Sequence, residues 1–206
     1  MQDSHAAQRA DRDGGAMTPS LARLREQIDS LDDDILDLIE RRLAASRSVA
    51  EQKSAGSDGH LWLRPRREQE VIARLSRRAS IAPGLLVELL WRELMAFSLQ
   101  AQVRTELVLH GPDPDRLTVL ARGRFGSAAP VRCAASPAEA LEAAAAGEAV
   151  AVIAGARAAD WLDRLPASLS VFDRILDADG RIVAAAIGRI SPDELPDAAA
   201  DPEPGR

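Results

Sequence analysis

A single cysteine, Cys133, stands among the 206 residues, so no disulfide can form within the chain and the protein suits a reducing compartment. No apolar run approaches the length needed to cross a bilayer, and residues 1–16 (MQDSHAAQRADRDGGA) lack the apolar stretch of a secretory signal. An excess of positive charge is missing too. The formal net charge is -6 and the pI about 5.2, which disfavours a general nucleic-acid binder. Clusters of the catalytic Ser/His/Asp or metal-ligand type are absent as well. These absences lead to an expectation of a soluble, cytoplasmic protein without a cofactor, with neither membrane nor nucleic acid as a partner.

The charge that is present is unevenly placed. Arg41, Arg42 and Arg47 gather behind Asp32, Asp33, Asp34, Asp37 and Glu40, a local basic cluster in an acidic whole that suits a small anion better than a polyanion. Around it, Leu21, Leu24, Ile28, Leu31, Ile35 and Leu38 recur in steps of three and four, the mark of one continuous helical seam. Thr18-Pro19-Ser20 supply start signals, and no glycine or proline interrupts the pattern before Lys53. A helix of that length usually packs along another chain. Residues 54–63 (SAGSDGHLWL) read as a loop. A second helix follows from Pro65 to about Ala79, then a turn around Pro83 and a third helix from about Leu85 to Val103. One long and two shorter helices thus define an all-α domain over residues 18–104.

Past Arg104 the texture changes. TELVLHG, VRCA and EAVAVIAG read as strands, alternating with helices in PDRLTVLARGRFG and SPAEALEAAAAG. A further helix is expected at 157–165, and LSVFDRILD and GRIVAAAIGRI read as two final strands joined by an Asp-Gly turn. Such alternation predicts a small α/β domain over 105–190 with an at least partly parallel sheet. Residues 1–17 and the Pro-, Asp- and Ala-rich segment 191–206 are expected to be disordered.

Arg42 occupies the seam position after Leu38, and a guanidinium on a stripe patterned for burial is costly unless an anion meets it. Lys53 lies eleven residues on, nearly on the same face and about 16 Å along the axis. The two can clasp a small dianion, or the basic cluster can form a salt-bridged coiled-coil face with the upstream carboxylates. Arg25, the adjacent pair Arg67 and Glu68, and Ser98 with Gln102 four residues later on one helical face complete the polar residues that stand out.

The stretch LARLREQIDSLDDDILDLIERRLAASRSVAEQK, then RREQE, then WRELMAFSLQAQ, closely resembles the all-helical, type II chorismate mutases, in the family's order and at its spacings over about residues 18–103. The resemblance implies a domain-exchanged homodimer in which two long first helices pair and each site draws on both chains. It implies that Arg42 and the partner chain's Arg25 bind the two carboxylates of chorismate. By the same resemblance, Lys53 and Gln102 hydrogen-bond the ether oxygen that breaks, Glu68 the ring hydroxyl, and Arg67 and Ser98 complete the carboxylate shell. Geometry supports the two-chain part by itself. Arg25 and Arg42 are seventeen residues apart, about 25 Å along the helix, too far to grip one small molecule from one chain. Where the family usually has Asp-Pro ahead of the Arg-Glu pair, this chain has Arg64-Pro65-Arg66.

The expected activity is therefore that of an isomerase converting chorismate to prephenate in phenylalanine and tyrosine biosynthesis. An isochorismate pyruvate-lyase shares the fold and the cationic clasp, although Glu68 and Ser98 argue against it. A non-catalytic helical dimer that regulates another aromatic-pathway enzyme is the third reading. Residues 106–190 more weakly resemble one lobe of prephenate dehydratase, through the Gly-Pro after a strand, ARGRFG and the alanine-rich helix. The second lobe and the Thr-Arg-Phe motif of that enzyme are missing, so this region is expected to be accessory, and a chain cut near Arg104 to keep the mutase groups.

Overall fold

The structure, a computed structural model, describes residues 20–53, 61–155 and 165–196. The expected disorder of residues 1–17, most of the loop at 54–63 and all but the last residue of the helix at 157–165 lie outside the described residues. The chain divides into two compact units between Glu40 and Arg41.

Helix α1 spans Leu21–Lys53. Ser20 caps its start, its hydroxyl accepting the Arg23 N–H at 3.3 Å. In the first unit the seam residues Leu21, Leu24, Ile28, Leu31, Ile35 and Leu38 keep 40% to 64% of their surface exposed, so within one chain the stripe patterned for burial is uncovered.

In the second unit, α2 (Pro65–Arg78) and α3 (Gly84–Gln102) pack on each other. Proline at the start of α2 forfeits no hydrogen bond, because the first amides of a helix have no partner within it. An α/β region follows: β1 (Glu106–His110), α4 (Pro114–Phe125), β2 (Val131–Cys133), α5 (Pro137–Ala145), β3 (Ala149–Ala154), β4 (Ser170–Leu176) and β5 (Ile182–Gly188). The strands form one mixed sheet in the order β2-β1-β3-β5-β4. β1 pairs in parallel with β2 and β3, and β5 runs antiparallel to β3 and β4. Because strand side chains alternate, Leu107 and Leu109 join Leu117 and Ala121 of α4 in one core layer, while Val108 joins Ala140, Leu141 and Ala144 of α5 in the other. β3 is covered on both faces and accordingly reads as the unbroken apolar run AVAVIA.

Residues 191–196, assigned to a disordered tail by composition, instead fold onto this unit. Pro192–Glu194 make a 3₁₀ turn, Leu195 packs on the sheet core and Glu194 pairs with Arg64 at 2.9 Å. An apolar anchor and one opposite charge outweigh the local composition; residues 197–206 lie outside the described residues.

Two close contacts join the helices to the sheet region. The Gln100 side-chain amide donates to the Thr105 carbonyl at 2.7 Å and accepts the Thr105 N–H at 3.3 Å, fixing the turn from α3 into β1. Gly126 ends α4 at φ 77° and ψ 177°, and a Cβ there would come 2.5 Å from the Ala96 Cβ of α3. Both the backbone conformation and the space demand glycine. Gly126→Ala is expected to destabilise the fold by about 1–3 kcal/mol, read as a lowered midpoint of thermal unfolding. An unchanged midpoint would show that α3 and α4 separate freely.

Candidate active site

The end of α1, one face each of α2 and α3, and the near layer of the sheet region surround a cavity of about 620 Å³. Helical spacing brings its polar lining together. Arg42, Ser46 and Val49 recur along α1, and Trp91, Met95, Ser98 and Gln102 along α3, in steps of three and four. Thr105, Leu107, Arg124, Phe125, Ala129 and Val150 form the wall contributed by the sheet region. That region is therefore part of the cavity, and a chain cut near Arg104 would leave it open on one side.

Among the described residues six arginines, at 42, 64, 67, 74, 92 and 124, line the cavity against one carboxylate, Glu68. In a chain of net charge -6 this is a marked concentration of positive charge, and concave walls strengthen its field. Arg42 is half-buried. Its Nη1 donates to the Leu94 carbonyl at 2.9 Å and to the Ser98 hydroxyl, and Ser98 in turn donates to the same carbonyl at 2.6 Å. Burial lowers the guanidinium's pKa, yet an arginine starts so far above neutrality that it stays charged. Among the described residues its partners are neutral oxygens, so a partly desolvated cation faces the cavity without a carboxylate to balance it. Gln102 Nε2 donates to the Ser98 carbonyl at 3.1 Å and carries a second N–H.

The opposite pole is organised around Glu68. Its Oε1 accepts from Arg124 Nη1 at 2.7 Å and Arg92 Nη1 at 3.2 Å. Arg124 Nε also donates to Asp173 of β4, and its guanidinium lies 5.1 Å from the Phe125 ring centroid. Arg92 adds a bond to Glu88 at 2.7 Å. Arg67 is more exposed and pairs with Glu70 at 3.3 Å, a surface contact of small energetic weight.

Of the residues singled out from sequence, Arg42, Arg67, Glu68, Ser98 and Gln102 line this cavity. Lys53 closes α1, and its side chain lies outside the described residues. Arg25 belongs to the first unit and is not among the lining residues. Arg92 and Arg124 were not anticipated. The rule that picks out Arg42 applies equally to Arg92, a cation on the otherwise largely apolar α3. For Arg124 no local signal exists, since its partner Glu68 is 56 residues away.

Residues 24–103 match the family model for chorismate mutase type II. They form a type II chorismate mutase domain. The match takes in α1 from its first turn, α2 and α3, and with them every cavity residue before Arg104. The family is one of isomerases acting on chorismate, a small dicarboxylate whose charge suits the arginine-lined cavity. No curated protein and no solved structure matches the chain. Beyond the mutase domain lies the α/β region with its five-stranded mixed sheet, and no helix among the described residues is long and apolar enough to cross a membrane.

Proposed function

We propose that the protein is a cytoplasmic chorismate mutase of phenylalanine and tyrosine biosynthesis, rearranging chorismate to prephenate as a homodimer with shared sites. The observation that carries the proposal is Arg42, a half-buried guanidinium of the mutase domain on the wall of the cavity that its helices share with the sheet region, hydrogen-bonded to neutral oxygens.

The reaction is a unimolecular pericyclic shift, so it calls for no nucleophile and no proton relay. It calls for two things: holding the chair-like conformer, and stabilising negative charge that grows on the ether oxygen as the C–O bond breaks. Arg42 binds one substrate carboxylate, with Ser98 orienting the guanidinium. Arg67 completes that shell, and Arg25 of the partner chain binds the second carboxylate. Lys53 and the second N–H of Gln102 donate to the ether oxygen, each such donor worth about 3 kcal/mol in the transition state. Glu68 accepts the ring hydroxyl on lone pairs left over from its two arginines. The exposed seam of α1 supports pairing of two first helices, because covering one leucine or isoleucine fully contributes about 1.5–3 kcal/mol.

Spectrophotometric loss of chorismate with prephenate as product tests the proposal. Release of pyruvate would point to the lyase, and no turnover by a folded dimer to a regulatory role. A second expectation follows from Gln102 being an amide, which donates at any pH where a carboxyl would first need a proton. The rate should therefore show no steep change across neutral and mildly alkaline pH. A steep change near pH 6 in the kcat profile would mean that a titrating histidine or carboxyl takes part.

A further inference from the structure

We infer that the α/β region takes part in the mutase reaction through Arg124, which acts as a positioning residue for Glu68. The inference rests on reading the cavity as the chorismate site. Among the described residues Arg124 is the sheet region's one charged contribution to the lining, and only 12% of its side chain is exposed. Both nitrogens whose bonds define its orientation are engaged within the protein. Nε donates to Asp173 of β4, and Nη1 donates to Glu68 Oε1 at 2.7 Å. The Phe125 ring beside the guanidinium and the Gly126 contact with α3 hold the end of α4 in place.

Such a guanidinium is a clamp rather than a grip on substrate. It fixes one oxygen of Glu68 and leaves the other side of the carboxylate to the ligand. Arg92, which donates both to Glu68 at 3.2 Å and to the Arg124 carbonyl at 3.0 Å, closes the network from α3. Glu68 thus receives its orientation from two directions, and one originates in a strand of the sheet, through Asp173. The α/β region then has a reason to be joined to the helices: it completes a wall and orients a carboxylate there.

The test compares full-length wild type with Arg124→Met, Arg124→Lys, Asp173→Asn, Glu68→Gln and the double variant Glu68→Gln/Arg124→Met, measuring kcat, KM and thermal unfolding for each. Arg124→Met is expected to lower kcat/KM roughly tenfold. Arg124→Lys should recover part of that loss, because an ammonium keeps the charge but cannot span two carboxylates in fixed directions. Asp173→Asn should shift activity in the same direction as Arg124→Met, although Asp173 does not line the cavity. In the Glu68→Gln background, Arg124→Met should cost less than about threefold, since the residue it positions is already changed. Equal losses in both backgrounds, or full activity of a folded Arg124→Met protein, would overturn the inference while leaving the mutase reading intact. Absence of chorismate turnover by the wild type would overturn both.

Discussion

Arg42→Ala is expected to lower kcat/KM at least about 10²-fold while helix content and oligomeric state stay as in the wild type. The magnitude follows from the environment of the guanidinium. A charged hydrogen bond to a buried anion is worth about 3 kcal/mol, or about two orders of magnitude in rate. Removing the arginine leaves the Leu94 carbonyl still bonded to Ser98 and to its own helix, so the fold loses little. Arg42→Lys should not restore the wild-type rate, because an ammonium cannot reach the Leu94 carbonyl, Ser98 and a carboxylate from one planar group. Circular dichroism and size-exclusion chromatography beside the kinetics separate this result from misfolding. Near-normal activity in a folded Arg42→Ala protein would return Arg42 to the role of a cation on a helix seam.

Mixing Arg25→Ala chains with Gln102→Ala chains, each inactive alone, is expected to restore a clear fraction of wild-type activity. If each site takes Arg25 from one protomer and Gln102 from the other, a mixed dimer contains one site with every group present and one with both missing. Random exchange makes half the dimers mixed, so about a quarter of the wild-type sites are intact. The apolar stripe of α1 is exposed within one chain and offers a surface for such pairing. Activity that stays at the level of the separate variants after verified exchange would mean that each site is built from one chain.

Features set by short-range patterns were legible in the sequence, and features set by distant contacts were not. The α1 seam, the helices beginning near Pro65 and Gly84, and the strand–helix alternation after Arg104 depend on spacing, caps and turn residues within a few positions of each other. Arg42, Ser98 and Gln102 stood out for the same reason. The role of Leu61 was hidden, because its partners are far away in sequence. That residue, read as part of a loop, is buried in the sheet core, and its N–H donates to the Arg189 carbonyl at 2.8 Å. The apolar triplet Leu61-Trp62-Leu63 was the available signal that this stretch had something to cover. Arg124 had none, since its value to the cavity comes from Glu68 in α2 and Asp173 in β4, both far away in sequence. Composition likewise misjudged residues 191–196, where Glu194 and Leu195 find partners that no local pattern reveals.

The arginine-lined cavity is expected to bind the chair-like transition state of chorismate more tightly than chorismate itself. Calorimetric titration with a stable bicyclic ether dicarboxylate shaped like that transition state tests it most directly, run on the wild type and on Arg42→Ala. The wild type should bind this analogue at least about 10²-fold more tightly than its KM for chorismate, and Arg42→Ala should lose affinity in proportion to its loss of kcat/KM. An analogue bound no more tightly than chorismate, or bound equally well after Arg42→Ala, would contradict the account.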